Sequence, residues 1–196
     1  MCYIVSTCNI KKHLVKRTEE FLKKYIGSED YFSFEEEIKK ALNIRNIQTP
    51  YRICNKITSY ATIGNVYSLN DVIPICFSTR KIAELLSTTF EVIFEEKEIF
   101  QKVSKIVVHY ILVHELIHVW QLKVGNLSKE ISDRENLKSH WKKSYEIEAF
   151  EKTNNIMKSR DPFTKAVVEI MMGEEKLDNQ FLCRFISLYF NEFKKK

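Results

Sequence analysis

The stretch that decides the fold is YILVHELIHVWQ, Tyr110 to Gln121, near the middle of a chain of 196 residues. This apolar run carries His114 and His118, two of the five histidines, on either side of Glu115. An α-helix turns by about 100° per residue, so His114, Glu115 and His118 fall at about 0°, 100° and 40° around its axis. The run therefore predicts a core helix from which two imidazoles project toward one point.

Two imidazole nitrogens on adjacent helical turns can bind one metal ion. Zinc at a catalytic site takes three protein ligands and leaves one position open for water. That water has a pKa of about 7, and Glu115 lies close enough to take its proton as the water attacks a carbonyl. This is the H-E-x-x-H arrangement of zinc peptidases. Two other interpretations stay open, a pair of hydrogen-bonded core histidines and a zinc site without catalysis.

The third ligand must come from the chain after this helix. Metzincins supply it with a glycine three residues and a histidine six residues past the second motif histidine. Gln121 and Val124 occupy those positions here, which excludes that class. Three candidates follow in the sequence, namely His140, Glu146 and Glu148.

Glu146 and Glu148 lie two residues apart, so on a helix they point about 200° away from each other. Glu146 shares its face with small or apolar side chains, those of Ala149, Phe150 and Thr153. A carboxylate on a packed face is costly without a partner, and a zinc ion would be that partner. This reasoning favours Glu146 as the third ligand, with Glu148 and His140 as alternatives.

Composition predicts one soluble domain over residues 1–196, since 44% of the residues are apolar and 29% are charged. The N-terminal segment MCYIVSTCNI lacks the pattern of a signal peptide, and the apolar run is too short to cross a bilayer. We therefore expect a cytoplasmic protein without a membrane partner. The five scattered cysteines predict free thiols rather than disulfides. A net charge of +5 leaves nucleic-acid contact open but offers little support for it, and the oligomeric state is undetermined.

Periodicity divides the chain into helices around a small sheet, an α+β fold. Residues 1–48 predict two helices, the first over Asn9–Ile26 with Gly27 as its terminator and the second opened by Ser33. Residues 49–78 predict two or three short strands with turns near Gly64-Asn65 and Asn70-Asp71.

The second half of the chain predicts helices. A short helix over Thr79–Ser87 precedes the active-site helix, residues 98–125, which stops at Gly125-Asn126. A polar stretch, Leu127–Ser139, separates it from residues 140–196, which predict the third-ligand helix and C-terminal helices.

HELIHVWQ followed by YEIEAFE resembles the gluzincin branch of zinc metallopeptidases, and most closely its small single-domain members, the minigluzincins. The resemblance implies a zincin-like fold with a small mixed or antiparallel sheet over the active-site helix. It implies Zn²⁺ bound by His114, His118 and Glu146, with Glu115 as general base and a peptide or protein as substrate. It also implies a substrate-binding edge strand, for which Val72–Ser78 is the candidate because Pro74 is typical of edges.

In families with this gluzincin pattern, Asp or Asn often follows the Ala of the second segment. Phe150 stands at that position here. HELIHVW with the later HWKK also resembles SprT-like proteases that act near DNA, and that resemblance implies His140 as the third ligand. A non-catalytic zinc-binding interaction protein with a gluzincin fold is the remaining alternative. The gluzincin resemblance also implies a Tyr or His donor to an oxyanion; Tyr145, His140 and Tyr189 are available, and the sequence selects none of them.

Overall fold

The structure is a computed structural model, and it describes residues 3–54, 56–63, 72–123 and 144–194. Helices dominate it: α1 Tyr3–Tyr25, α2 Glu29–Ala41, α3 Thr79–Thr89, α4 Lys97–Lys123, α5 Ser144–Lys158, α6 Pro162–Met171 and α7 Asn179–Tyr189. A 3-10 turn, Glu91–Ile93, precedes α4, and a π-helical turn, Phe190–Lys194, follows α7. This layout confirms the expected mostly helical α+β class.

Three short strands form one mixed sheet: β1 Tyr51–Ile53, β2 Ala61–Ile63 and β3 Ile75–Phe77. Their order is β1-β3-β2, with β1 parallel and β2 antiparallel to β3. The prediction that Val72–Ser78 holds an edge strand is wrong, because β3 is the central strand. Pro74 interrupts no bond on this side of the sheet, because Ile73 N–H donates to Gln48 O before it and Ile75 N–H donates to Pro50 O after it.

The start of α2 also differs from the prediction. Ser28, not Ser33, is the N-cap, and its hydroxyl oxygen accepts a bond from Tyr31 N–H. Ser33 lies inside the helix. Gly27 has a positive φ of 93°, which ends α1 as predicted, and a Cβ at this position would overlap the Tyr51 ring. Glu29 and Asp30 lie in the first turn of α2, where negative charge is favourable. They favour a helix capped by Ser28, five residues before the predicted cap.

Helix α4 forms the centre of the core. Its buried side chains point in every direction around the axis, which is typical of a helix enclosed by other elements. It packs against α2, α5, α6 and β2. Among the described helices it alone has the length and apolarity to cross a membrane, but 78% of that apolar window is buried inside the protein.

Helix α5 packs its predicted face against α4. Ala149 and Thr153 are fully buried, and Glu146, on the same face, is 7% exposed. The interpretation of this face as the packed one is confirmed. Several other predictions lie outside the described residues: the turns near Gly64-Asn65 and Asn70-Asp71, the stop at Gly125-Asn126, the stretch Leu127–Ser139, and His140.

His109 lies five residues before His114, about 140° away around the helix, and it has a packing role. The ring of His109 stacks on that of Phe34 with centroids 3.6 Å apart, and its Nε2 is hydrogen-bonded to the Tyr25 hydroxyl at 2.5 Å. Burial lowers the pKa of His109 from 6.5 to about 3. The imidazole is therefore neutral at pH 7.

His109 should make the protein less stable in mild acid. The unfolded chain binds a proton at this residue below pH 6.5, whereas the folded chain does so only near pH 3, so the free energy of unfolding falls as pH falls between these values. We expect a loss of about 1–2 kcal/mol between pH 7 and pH 5. His109→Gln should flatten this slope in urea titrations, whereas His13→Gln, at an exposed position, should keep it. Equal slopes in His109→Gln and wild type would contradict the assignment.

Candidate metal centre

Three side chains from two helices meet at one point. His114 Nε2 and His118 Nε2 lie 3.1 Å apart, and each lies 3.4 Å from Glu146 Oε2. Within the described part of the chain, these three form the one group of His, Cys, Asp or Glu side chains close enough to hold a metal ion. The two histidines and Glu146, predicted as a set, are thus brought together.

The local structure explains this arrangement. The four-residue spacing on α4 places the two imidazoles on successive turns, where they face the same side of the helix. Glu146 lies in the first turn of α5, and the packed face of α5 directs it toward α4. His118 and Glu146 are 6% and 7% exposed, so the group is largely shielded from solvent.

Burial and the interactions within the group shift the pKa values of Glu146 and His118. Burial by itself raises the pKa of Glu146, but hydrogen bonds and charge interactions with the two histidines outweigh it and hold the pKa well below its usual range. Burial opposes a charged His118, yet Glu146 and Glu115 together raise the pKa of that imidazole. Glu146 is therefore an ionised carboxylate beside the two imidazole nitrogens.

Glu115 lies beside the group without belonging to it. Its side chain is buried, and desolvation raises its pKa to about 7; Glu146 also raises the value, while His118 lowers it. The N–H of Ile63, in β2, donates a hydrogen bond to the Glu115 carboxylate and also lowers its pKa. A carboxyl group with a pKa near 7 can both accept and return a proton at neutral pH.

Gln121 links His118 to α5. Its Oε1 lies 2.8 Å from His118 Nδ1, and its Nε2 donates to Tyr145 O and to Glu148 Oε2, both at 2.8 Å. Gln121 is fully buried. Glu148, an alternative third ligand in the sequence, thus bonds to Gln121 and is not part of the three-residue group.

An open cavity of about 480 Å³ lies in front of the group. Residues 59–63, with β2, form one wall. The other walls are mostly apolar and come from four helices, with Leu85, Tyr110, Ile111, Phe150, Met171 and Met172. The group and Glu115 therefore lie at the base of a cleft large enough for a side chain of a peptide.

Phe150 and Tyr145 lie next to the three-residue group, whereas Tyr189 does not. The ring centroids of Phe150 and His114 are 4.6 Å apart. An apolar ring thus lies against a ligand candidate, at the position where the gluzincin pattern often has Asp or Asn. Tyr145 lines the cleft, with its ring 5.7 Å from that of His118. Tyr189 packs against Phe163 and does not line the cleft. Of these two tyrosines, Tyr145 alone lines the cleft.

Two parts of the site were not assigned from the sequence. Gln121 served only to exclude metzincins, although a residue three positions after His118 lies on the same helical face and can reach its ring. The sequence of residues 59–63 did not indicate that they line the cleft, because the position of a three-residue strand depends on the strands and helices that it packs against. Comparison with protein-family models, curated proteins and solved structures found no match to this chain.

Proposed function

We propose that this protein is a zinc-dependent peptidase whose metal ligands are His114, His118 and Glu146. The observation that carries the proposal is the set of three separations, 3.1, 3.4 and 3.4 Å, between the ligand atoms. Ligands about 2.0–2.1 Å from a tetrahedral zinc ion lie about 3.3–3.4 Å from each other. The two imidazoles and the carboxylate thus have the spacing of three corners of a zinc tetrahedron.

The chemical nature of the ligands also favours zinc. Two imidazole nitrogens and one carboxylate oxygen form a set found at catalytic zinc sites, where the fourth position stays open. The open side of this group faces the 480 Å³ cleft, so a water molecule or a substrate carbonyl can reach it. Such an arrangement favours a catalytic site over a closed structural one.

Zinc held here would polarise a peptide carbonyl and lower the pKa of a water molecule to about 7. Glu115, with its pKa near 7, would take the proton of the attacking water and pass it to the leaving amine. Tyr145 lines the same cleft and is our candidate for the donor that stabilises the oxyanion.

Strand β2 is the candidate for holding the substrate backbone. Within the described part of the chain it pairs only with β3, and its residues line the cleft. The bond from Ile63 N–H to Glu115 ties this strand to the candidate general base. An extended peptide added along β2 would place its scissile bond near the three ligand candidates, by the usual geometry of strand addition. We therefore assign to β2 the role that the sequence assigned to Val72–Ser78.

The proposal is tested by removal and return of the metal. The protein is stripped with a chelator, reloaded with one equivalent of zinc, and incubated with a reduced, alkylated protein as an unfolded substrate. We expect cleavage by the reloaded protein and none by the stripped protein, measured by mass spectrometry of the fragments. Equal cleavage without metal would overturn the proposal. Binding of one zinc without any cleavage would favour the non-catalytic alternative.

The lining of the cleft predicts a preference for apolar side chains. Burying a Leu or Phe side chain is favourable by about 1.5–3 kcal/mol, whereas an acidic side chain would approach Glu146 and Glu115. We expect peptides with Leu, Phe or Met beside the scissile bond to have a kcat/KM about 10–200-fold above those with Asp or Glu. A fluorogenic peptide library gives this ratio directly.

Met172→Lys provides a matched variant, because Met172 lines the cleft and is 39% exposed. The added ammonium group should lower the ratio of kcat/KM for apolar peptides to kcat/KM for acidic peptides. A wild-type enzyme that prefers acidic side chains would contradict the assignment of the cleft.

A further inference from the structure

We propose that Gln121 and Glu148 form a positioning pair that holds His118 in its metal-binding form and fixes Glu146 beside it. This inference rests on the proposed zinc site and concerns residues that do not touch the metal. The two side chains come from different helices, Gln121 from α4 and Glu148 from α5. Their side chains are hydrogen-bonded to each other, and neither residue lines the cleft.

The hydrogen bonds of Gln121 determine its orientation. Tyr145 O is a main-chain carbonyl and can only accept a hydrogen bond, so the group of Gln121 that faces it must be the NH₂. The carboxylate of Glu148 accepts the second N–H of the same amide. The amide oxygen of Gln121 must then face His118.

This orientation determines which tautomer a neutral His118 adopts. An amide oxygen only accepts, so His118 Nδ1 must carry the proton of the 2.8 Å bond. In a neutral imidazole the lone pair then lies on Nε2, the atom that faces His114 and Glu146. The ring cannot rotate without breaking the bond to Gln121. His118 is thus held ready to bind a metal through Nε2.

The same pair also sets the position of Glu146. Gln121 bonds to Tyr145 O and to Glu148, the residues that come one before and two after Glu146 in α5. These two bonds fix the first turn of α5 against α4. Glu148 Oε1 in turn lies 3.6 Å from Lys152 Nζ, in an ion pair within α5.

Burial explains why these bonds matter. Gln121 is fully buried, so an unmade bond to its amide would not be replaced by one to water. An apolar side chain of similar length at this position would leave His118 Nδ1 and Tyr145 O without their present partner. The ligands would still be present but would be less well oriented, which typically costs 10–100-fold in metal affinity.

The test is a comparison of Gln121→Met and Glu148→Gln with Glu151→Gln, a control at an exposed position of α5. Zinc dissociation constants are measured by competition with a chromophoric chelator, and the visible spectrum of the cobalt-loaded protein reports ligand geometry. We expect a Kd raised about 10–100-fold in Gln121→Met, less in Glu148→Gln, and unchanged in the control. The double variant should be no weaker than Gln121→Met, because both residues act through the same bond.

The two proposals fail in different ways. Tight zinc binding and an unaltered cobalt spectrum in Gln121→Met would overturn the positioning role while leaving the zinc site intact. Absence of zinc binding by the wild type would contradict the proposed function and this inference with it. If Gln121→Met does not fold, Glu148→Leu decides, because leucine cannot accept the bond from Gln121: wild-type affinity and an unchanged cobalt spectrum in this variant would overturn the inference. A purely structural role would lower thermal stability without changing either measurement on the folded protein.

Discussion

Replacing Glu115 with glutamine is expected to lower kcat/KM for peptide hydrolysis by about 10²–10⁴-fold, the usual contribution of a general base. The glutamine amide cannot accept a proton from water, but its oxygen can still accept the bond from Ile63 N–H. Zinc should stay bound, because Glu115 is not one of the three ligand candidates. Activity on a fluorogenic peptide and metal content are measured on the same preparation.

The folded state should tolerate this change. Burial already raises the pKa of Glu115 to about 7, so a neutral side chain removes a costly buried charge. We expect a Tm equal to that of the wild type or above it. Glu84→Gln, at a 51% exposed side chain of α3, is the control for a charge change away from the cleft. A Glu115→Gln protein with wild-type kcat/KM would contradict the role of this residue.

Replacing Glu146 with glutamine should raise the zinc Kd by at least about 100-fold, since it removes the charge of a direct ligand. The wild-type carboxylate is ionised and 3.4 Å from both imidazoles, whereas a neutral amide attracts the metal far less. The substitution preserves shape, so the packing of α5 should be retained. Isothermal titration of the stripped protein with zinc measures the change.

Two further variants identify the third ligand. Glu148→Gln should weaken zinc binding less than Glu146→Gln does, because Glu148 acts through Gln121. The reverse order would assign the ligand to Glu148. Loss of zinc in His140→Ala together with its retention in Glu146→Gln would favour the SprT-like alternative, whose ligand lies outside the described residues.

The parts of the site that follow from helical geometry could be predicted from the sequence. A four-residue spacing fixes the relation of His114 to His118 whatever surrounds the helix. Glu146 could be chosen over Glu148 because a carboxylate on an apolar face requires a partner. Both inferences need only the identity and spacing of residues within one helix.

The parts that depend on tertiary contacts could not be predicted. The order of three-residue strands is decided by the elements they pack on, so the pattern around Pro74 suggested an edge where β3 is central. The start of α2 was misplaced because Ser33 has the spacing of a capping box, whereas the turn at Gly27 makes Ser28 the N-cap. The bond from Gln121 to Glu148 joins two helices, and nothing in either segment alone indicates it.

The central claim is that one zinc ion binds to two imidazole nitrogens and one carboxylate oxygen. X-ray absorption at the zinc edge, on stripped protein loaded with one equivalent of zinc, tests this claim most directly. We predict a first shell of nitrogen and oxygen at about 2.0–2.1 Å, with the outer-shell scattering of two imidazoles and no sulfur. The spectrum of Glu146→Gln should differ in that shell. A sulfur shell at about 2.3 Å would instead place the metal on cysteines, and that result, or a failure to retain zinc, would contradict the account.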